Sequence, residues 1–336
     1  MTRGLTRRRF EWAVVACVAV GASAGPDLQA VAAAEPASSV EVHDAAELTT
    51  ALQDARPGDT IQLADGTYAG HFQAATSGTE DAPITRTGSA GAVLDGGGSG
   101  YGFHLDSASY WALKGFTIQN SQKGLMGDGA NHNVIDHLQV QGVGDEGIHF
   151  RCASSDNVVQ DSTITDTGRV QPQYGEGVYL GSAHSNWDRC DGGGEDHSDR
   201  NRVSGNVIGP DVRAESVDVK EGTTGGVISG NTFDGTGMSG ENYADSWLDV
   251  KGNGYQIIDN RGSHALLDGF QVHEAVDSWG SDNFFARNNA DVGADGYGFD
   301  VDGDDRGNIV CADNTVTNAG SGAANVDLTD PCPITE

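Results

Sequence analysis

The chain reads as an all-β solenoid, a right-handed parallel β-helix closed at its start by a short capping helix, for three reasons. Glycine outnumbers proline 49 to 8 and no long helical period is present, a composition that suits many short strands joined by turns. Apolar pairs spaced by one residue recur at Phe103/Leu105, Leu125 with Gly127, Ile148/Phe150, Val178/Leu180, Val217/Val219, Leu248/Val250, Phe270/Val272 and Phe299/Val301, at intervals of 22, 23, 30, 39, 31, 22 and 29 residues. A second set of strand-like segments (NVIDH, NVVQD, RVSGNV, GVISGNTF, YQIIDN, NFFARN, NIVCADN) runs in phase with these pairs and places Asn or Gly at the corners. Such units suit coils that pair their backbones with the coils above and below. Propeller blades would need longer units and regular Asn-Gly or Asp-Gly hairpin signals, which are sparse here.

In chain order, residues 1–34 carry TRRRF, the apolar run Ala13–Ala22 and AVAAAE, the layout of a twin-arginine signal peptide cleaved near Ala32 or Ala34. The run is too short to span a bilayer permanently, so a secreted, extracellular protein free of the membrane is expected. Residues 35–336 then form a single domain. In Ala46–Gly70 an amphipathic helix (Leu48, Leu52, Ala55) covers the apolar end of the stack and TIQLADGTY begins the first coil. The 39-residue interval contains Ser182–Asn201, too polar for a strand and read as a loop insertion whose His184, Trp187 and His197 are within reach of a ligand. Cys17 leaves with the signal, and the favoured pairing of the rest is Cys152 with Cys190, tying the insertion to the body, and Cys311 with Cys332, clipping the C-terminal end. The corner asparagines serve the scaffold, because stacked amides can bond one another. A capped solenoid of this kind is expected to remain a monomer.

The formal charge is −30, and loss of residues 1–34, with four arginines and two acids, takes it to −30 − 4 + 2 = −32. Nucleic acid is excluded as a partner, since phosphate binding needs a cationic face. With Val217 and Val219 inward, Asp218 and Lys220 point outward. The same parity on every coil gives an external ladder: His104/Asp106, Met126/Asp128, His149/Arg151, Tyr179/Gly181, Asp218/Lys220, Asp249/Lys251, Gln271/His273 and Asp300/Asp302. Coils stack about 4.8 Å apart, so Lys220 should lie beside Lys251 on an exposed face, with Asp218 beside Asp249. Only four lysines occur (Lys114, Lys123, Lys220, Lys251), and two at matching positions are more than a solvated face requires. Like charges side by side call for an anion or depress a lysine pKa.

A groove bearing these cations with Tyr179 and the substrate-binding candidates His149, Gln271 and His273 suits an acidic, uronic-acid-containing polysaccharide. Such polymers are cut by β-elimination, in which a base takes the C5 proton, a cation neutralises the carboxylate and an acid assists departure of the 4-oxygen. Lys220 is the expected base, Lys251 and Arg151 neutralise charge, and Tyr179 is the acid. Glu215, Asp218 and Asp249 could supply oxygen ligands to Ca²⁺. The rivals are a glycoside hydrolase using a carboxylate pair from Asp218, Asp249, Asp300 or Asp302, and a non-catalytic carbohydrate-binding β-helix.

PGDTIQLADGTY and ESVDVKEGTTGGVISGNTF resemble segments of polysaccharide lyase family 6, the chondroitinase B and alginate lyase group of the pectate-lyase-like β-helix superfamily. In that family a Glu five residues before a strand-edge Lys binds calcium and the Lys is the base, so the resemblance implies those roles for Glu215 and Lys220. Two departures stand out: Arg213 occupies the place of a further acidic ligand, and DSWLDVKGN replaces the segment that carries the family's catalytic arginine. A neighbouring family of the same superfamily therefore stays open.

Overall fold

The computed structural model describes residues 37–190, 192–302 and 306–333; the expected signal segment 1–34 lies outside them. The architecture is a right-handed parallel β-helix of about 11 turns. Three parallel sheets of 11, 10 and 10 strands form its faces, here called A, B and C, and each coil contributes to them in turn. One coil, for example, supplies Arg202–Ser204 to sheet A, Val207–Ile208 to B and Val217–Val219 to C.

The apolar pairs are the inward residues of sheet C. Val178, Val217, Leu248, Phe270 and Phe299 stand in register on successive coils and are fully buried. The rings of Phe270 and Phe299 stack at 5.1 Å. Each such side chain contributes about 1.5–3 kcal/mol through burial, so repetition of the pair on every coil supplies the core.

At the start, Ala45–Asp54 is helical and places Leu48 and Leu52 over the open end of the stack, with Ala55 buried after it. Asp44 caps it by accepting from the amides of Ala46 and Glu47, both at 2.9 Å, while Glu47 accepts from the amide of His43. TIQLADGTY forms Thr60–Leu63 and Gly66–Ala69 as expected, but the strand Ser39–Val42 precedes them and pairs with Thr60–Leu63.

The corner asparagines form amide columns. Asn206, Asn231, Asn260, Asn288 and Asn314 line the A-to-B corner, each of the first four side-chain amides donating to the next oxygen at 2.9–3.0 Å and to a backbone carbonyl. Asn133, Asn157 and Asn201 repeat the pattern at the C-to-A corner. Both favoured disulfides are present, Cys152–Cys190 and Cys311–Cys332. The insertion contains a short 3-10 helix, His184–Arg189, and no strand among its described residues. No helix among the described residues is long and apolar enough to cross a membrane.

Candidate active site

The external ladder is in the expected register: His149 pairs with Tyr179, Tyr179 with Asp218, Asp218 with Asp249 and Asp249 with Gln271. Its exposure is not as expected. Only 12% of the Lys220 side chain and 15% of Lys251 reach solvent, and His149, Asp218, Asp249 and Gln271 are buried. Part of the cover comes from the insertion, where the backbone amide of His184 donates to Glu221, the residue after Lys220. Of the ladder, His149, Arg151 and Tyr179 line a cavity, and the coils that carry Lys220 and Lys251 lie beside it.

The two ammonium groups share a face but do not meet bare. Asp218 lies between them, with Oδ2 2.5 Å from Lys220 Nζ and Oδ1 3.0 Å from Lys251 Nζ. Of the two expected outcomes for paired lysines, an anion between them or a depressed pKa, the first is found. Burial pulls both down and Lys220 lowers Lys251 further, but Asp218, with Glu215 at Lys220 and Asp249 at Lys251, outweighs this and holds both above the ordinary lysine value. Lys220 Nζ also stands 5.0 Å from the centroid of the Tyr179 ring, whose hydroxyl is raised well above 10 by burial and by Asp218.

The acids expected to hold a metal, Glu215, Asp218 and Asp249, do not share one cluster. Asp249 is taken up by Lys251 and by His273 Nδ1 at 2.9 Å, an arrangement that lowers its pKa despite burial and raises that of His273 to about 9. Glu176 stands in its place: oxygens of Glu176, Glu215 and Asp218 lie within 4.8 Å of one another, all three residues buried. Glu176 Oε2 has no hydrogen-bond partner. Burial, with Glu146, Glu215 and Asp218 nearby, pushes Glu176 well above the carboxylate range, and burial with Asp218 pushes Glu215 up to about 8. Across this face Asp218 and Asp249 are the acids that contact Lys220, Lys251 and His273.

Glu176 escaped the alternation rule because the rule fails at a corner. A Cβ on Gly124, Gly147 or Gly177 would fall 2.6, 2.8 or 2.5 Å from Val140, Ile164 or Ile208 in the core, so these corner positions point inward along with the strand residue that follows. The residue before each corner is thereby thrown outward. Lys123, Glu146, Glu176 and, ahead of Ser216, Glu215 form a second outer column, and the visible signal is Glu-Gly or Glu-Ser before an apolar pair.

The remaining expected residues divide. His149 Nε2 donates to the Gly181 carbonyl at 2.9 Å and its ring stands edge-on to Tyr179 at 4.3 Å, so it braces that ring. Gln271 donates to Asp245 and Asp268 on the C-terminal side of the ladder. Arg151 is bound to Asp128 at 2.6 Å, away from Asp218, and lines a cavity of about 560 Å³ that reaches Glu176 and Tyr179. Lys123, Tyr101, Tyr174 and Arg189, none of them anticipated as site residues, line it too. From the insertion the described lining residues include Asn186 and Arg189 but not His184, Trp187 or His197.

A family model described as "Pel9A-like, right handed beta helix region" matches residues 30–189. No curated protein sequence matches the chain. Among solved structures, the chain is similar to an alginate lyase from Paenibacillus sp. str. FPU-7, with 38% identity, a TM-score of 0.81 and coverage of 86% of this chain and 99% of that one. A rhamnogalacturonan lyase (15% identity, TM-score 0.61, 82% and 78% coverage) shares the fold alone. So does the GH136 lacto-N-biosidase from Eubacterium ramulus (12% identity, TM-score 0.54, 87% and 68% coverage), and the scaffold by itself therefore does not separate lyase from hydrolase. The 38% identity spans nearly the whole of the bacterial enzyme, and on that ground the chain belongs to the family of the Paenibacillus alginate lyase.

Proposed function

We propose that the protein is a secreted polysaccharide lyase that cuts a uronic-acid polymer, alginate foremost, by β-elimination with Lys220 as base and Tyr179 as acid. The observation that carries this reading is Lys220 Nζ 5.0 Å from the ring of Tyr179, which lines the cavity with Glu176, in a chain of this family. Neutral Lys220 takes the C5 proton, the electron pair forms the C4=C5 bond, the C4–O bond breaks, and the Tyr179 hydroxyl protonates the departing oxygen. Lys251, poised between Asp218 and Asp249, faces the substrate carboxylate whose charge grows as C5 loses its proton. Because Asp218 and Glu215 favour the ammonium form, the base becomes competent toward alkaline pH or when Asp218 is engaged elsewhere.

Glu176, Glu215 and Asp218 offer a hard divalent ion only oxygen and are buried together with Glu176 Oε2 unpartnered, and an ion there would have to draw Asp218 away from Lys220 and Lys251. When bound there, Ca²⁺ supplies positive charge to offset these carboxylates and that of the substrate. The family 6-like placement of Glu215 five residues before Lys220 agrees with this role. Export through the twin-arginine route is in keeping with both disulfides.

The test offers alginate, pectate, glucuronan and glycosaminoglycans to the secreted protein with and without chelator, following ultraviolet absorbance of unsaturated uronate alongside reducing ends and Tm. Absorbance rising in step with reducing ends on alginate is expected, with chelator lowering both turnover and Tm. Reducing ends without absorbance would assign a hydrolase, and binding without either signal a carbohydrate-binding protein.

A further inference from the structure

Most cations at the groove are already paired: Lys123 with Glu146, Arg151 with Asp128, Lys220 and Lys251 with Asp218. Arg189 differs. It is exposed, lines the 560 Å³ cavity and has no acidic partner among the described residues. Its place is fixed from both sides, because Trp187 Nε1 donates to the Ser182 carbonyl at 3.0 Å and the next residue, Cys190, is bonded to Cys152, which follows Arg151. A disulfide that anchors the backbone next to an exposed arginine at the cavity is more than a pin for a surface loop.

We propose that the insertion carries a carboxylate-binding subsite in which Arg189, clamped by Cys152–Cys190, holds the carboxylate of a uronate adjacent to the one being cleaved. Coils stack about 4.8 Å apart, close to the length of one pyranose unit, so a polymer running across sheet C advances by roughly one sugar per coil. The Tyr179 coil serves the cleaved residue and the neighbouring His149–Arg151 coil serves the next one toward the N-terminal end. Tyr101 and Tyr174 in the same cavity give that sugar ring apolar faces, and the planar guanidinium suits a carboxylate. The subsite selects polymers with consecutive uronates over those alternating uronate with a neutral sugar. Arg189 is a positioning residue, outside the proton transfers.

The inference rests on the lyase reading for its kinetic arm only. In that arm Arg189→Gln raises KM on alginate about tenfold with kcat within twofold, and the difference shrinks at high salt. Cys190→Ser, which releases the clamp, shifts KM in the same direction. Arg261→Gln on exposed sheet B controls for loss of one charge and leaves KM unchanged. In the binding arm, a size-defined oligouronate is titrated onto Lys220→Ala with and without Arg189→Gln. Weaker binding of the double variant supports the subsite even where the wild type shows no turnover, which would overturn the lyase reading alone. Unchanged binding, or equal effects of Arg189→Gln and Arg261→Gln, overturns the subsite.

Discussion

Two kinds of polar column rise over successive coils of this β-helix, the corner asparagines and the outer residues of sheet C, and they differ in how completely their hydrogen bonds close. Asn231 shows the first kind: its Nδ2 donates to Asn260 and to the Val203 carbonyl, while its Oδ1 accepts from the backbone and side chain of Asn206. In the second kind Glu176 Oε2 and Gln271 Oε1 are buried without hydrogen-bond partners, although sheet C repeats with the same kind of coil-to-coil register. Burying an unpaired polar atom costs about 1–3 kcal/mol. The open groups of this column gather on one face, whereas Arg86, buried in the core over the Phe103 and Phe116 rings with no hydrogen-bond partner, shows that an open group marks a site only where a cavity and titratable neighbours accompany it.

The sharpest way to break the comparison is to change one member of each column. Lys220→Arg, which keeps a cation beside buried Asp218, should lower turnover about 10³-fold or more while moving Tm little. Asn231→Ala should do the reverse, costing about 2–4 kcal/mol of stability by orphaning groups on both neighbouring coils, with kcat of the folded fraction retained. Parallel steady-state kinetics and thermal melts check both, and a large activity loss in folded Asn231→Ala would erase the distinction.

A smaller effect sharpens it through pH. The Glu215 carboxyl is raised from 4.5 to about 8 in the fold, so the folded state holds a proton that the unfolded chain gives up earlier. The contribution of the neutral form is complete below about 4.5 and is lost as pH rises through 8. With chelator present, Glu215→Gln should therefore raise Tm by several degrees above pH 8 and leave it unchanged near pH 4.5. Calcium should close that gap by stabilising the wild type. A Tm difference independent of pH would show that Glu215 ionises freely in the fold.

Much of this molecule was legible from its sequence because a solenoid repeats its evidence. The pairs from Phe103/Leu105 to Phe299/Val301 set the register, and register alone placed Tyr179 next to Asp218 and Asp218 next to Asp249. Both disulfides followed from where the insertion and the C-terminal end must attach. What failed were inferences that need a local bend or a covering segment. Alternation counts faces along an extended strand, so it could not see Glu146 and Glu176 turn outward ahead of inward-facing Gly147 and Gly177. Nor could it anticipate that Asp218 would separate Lys220 from Lys251, because register fixes backbones and leaves long side chains to find their counter-ions. Arg189 lay in a segment without periodicity, where only the Cys152–Cys190 link ties sequence to space.

The central claim is that the outer face of sheet C removes a proton from C5 of a uronate, and turnover of alginate deuterated at C5 tests it most directly. The account predicts a primary isotope effect on kcat/KM at low pH, where proton removal limits the rate, and one C4=C5 bond for every linkage cut. New reducing ends without unsaturation, formed at the same rate from deuterated and ordinary polymer, would contradict it.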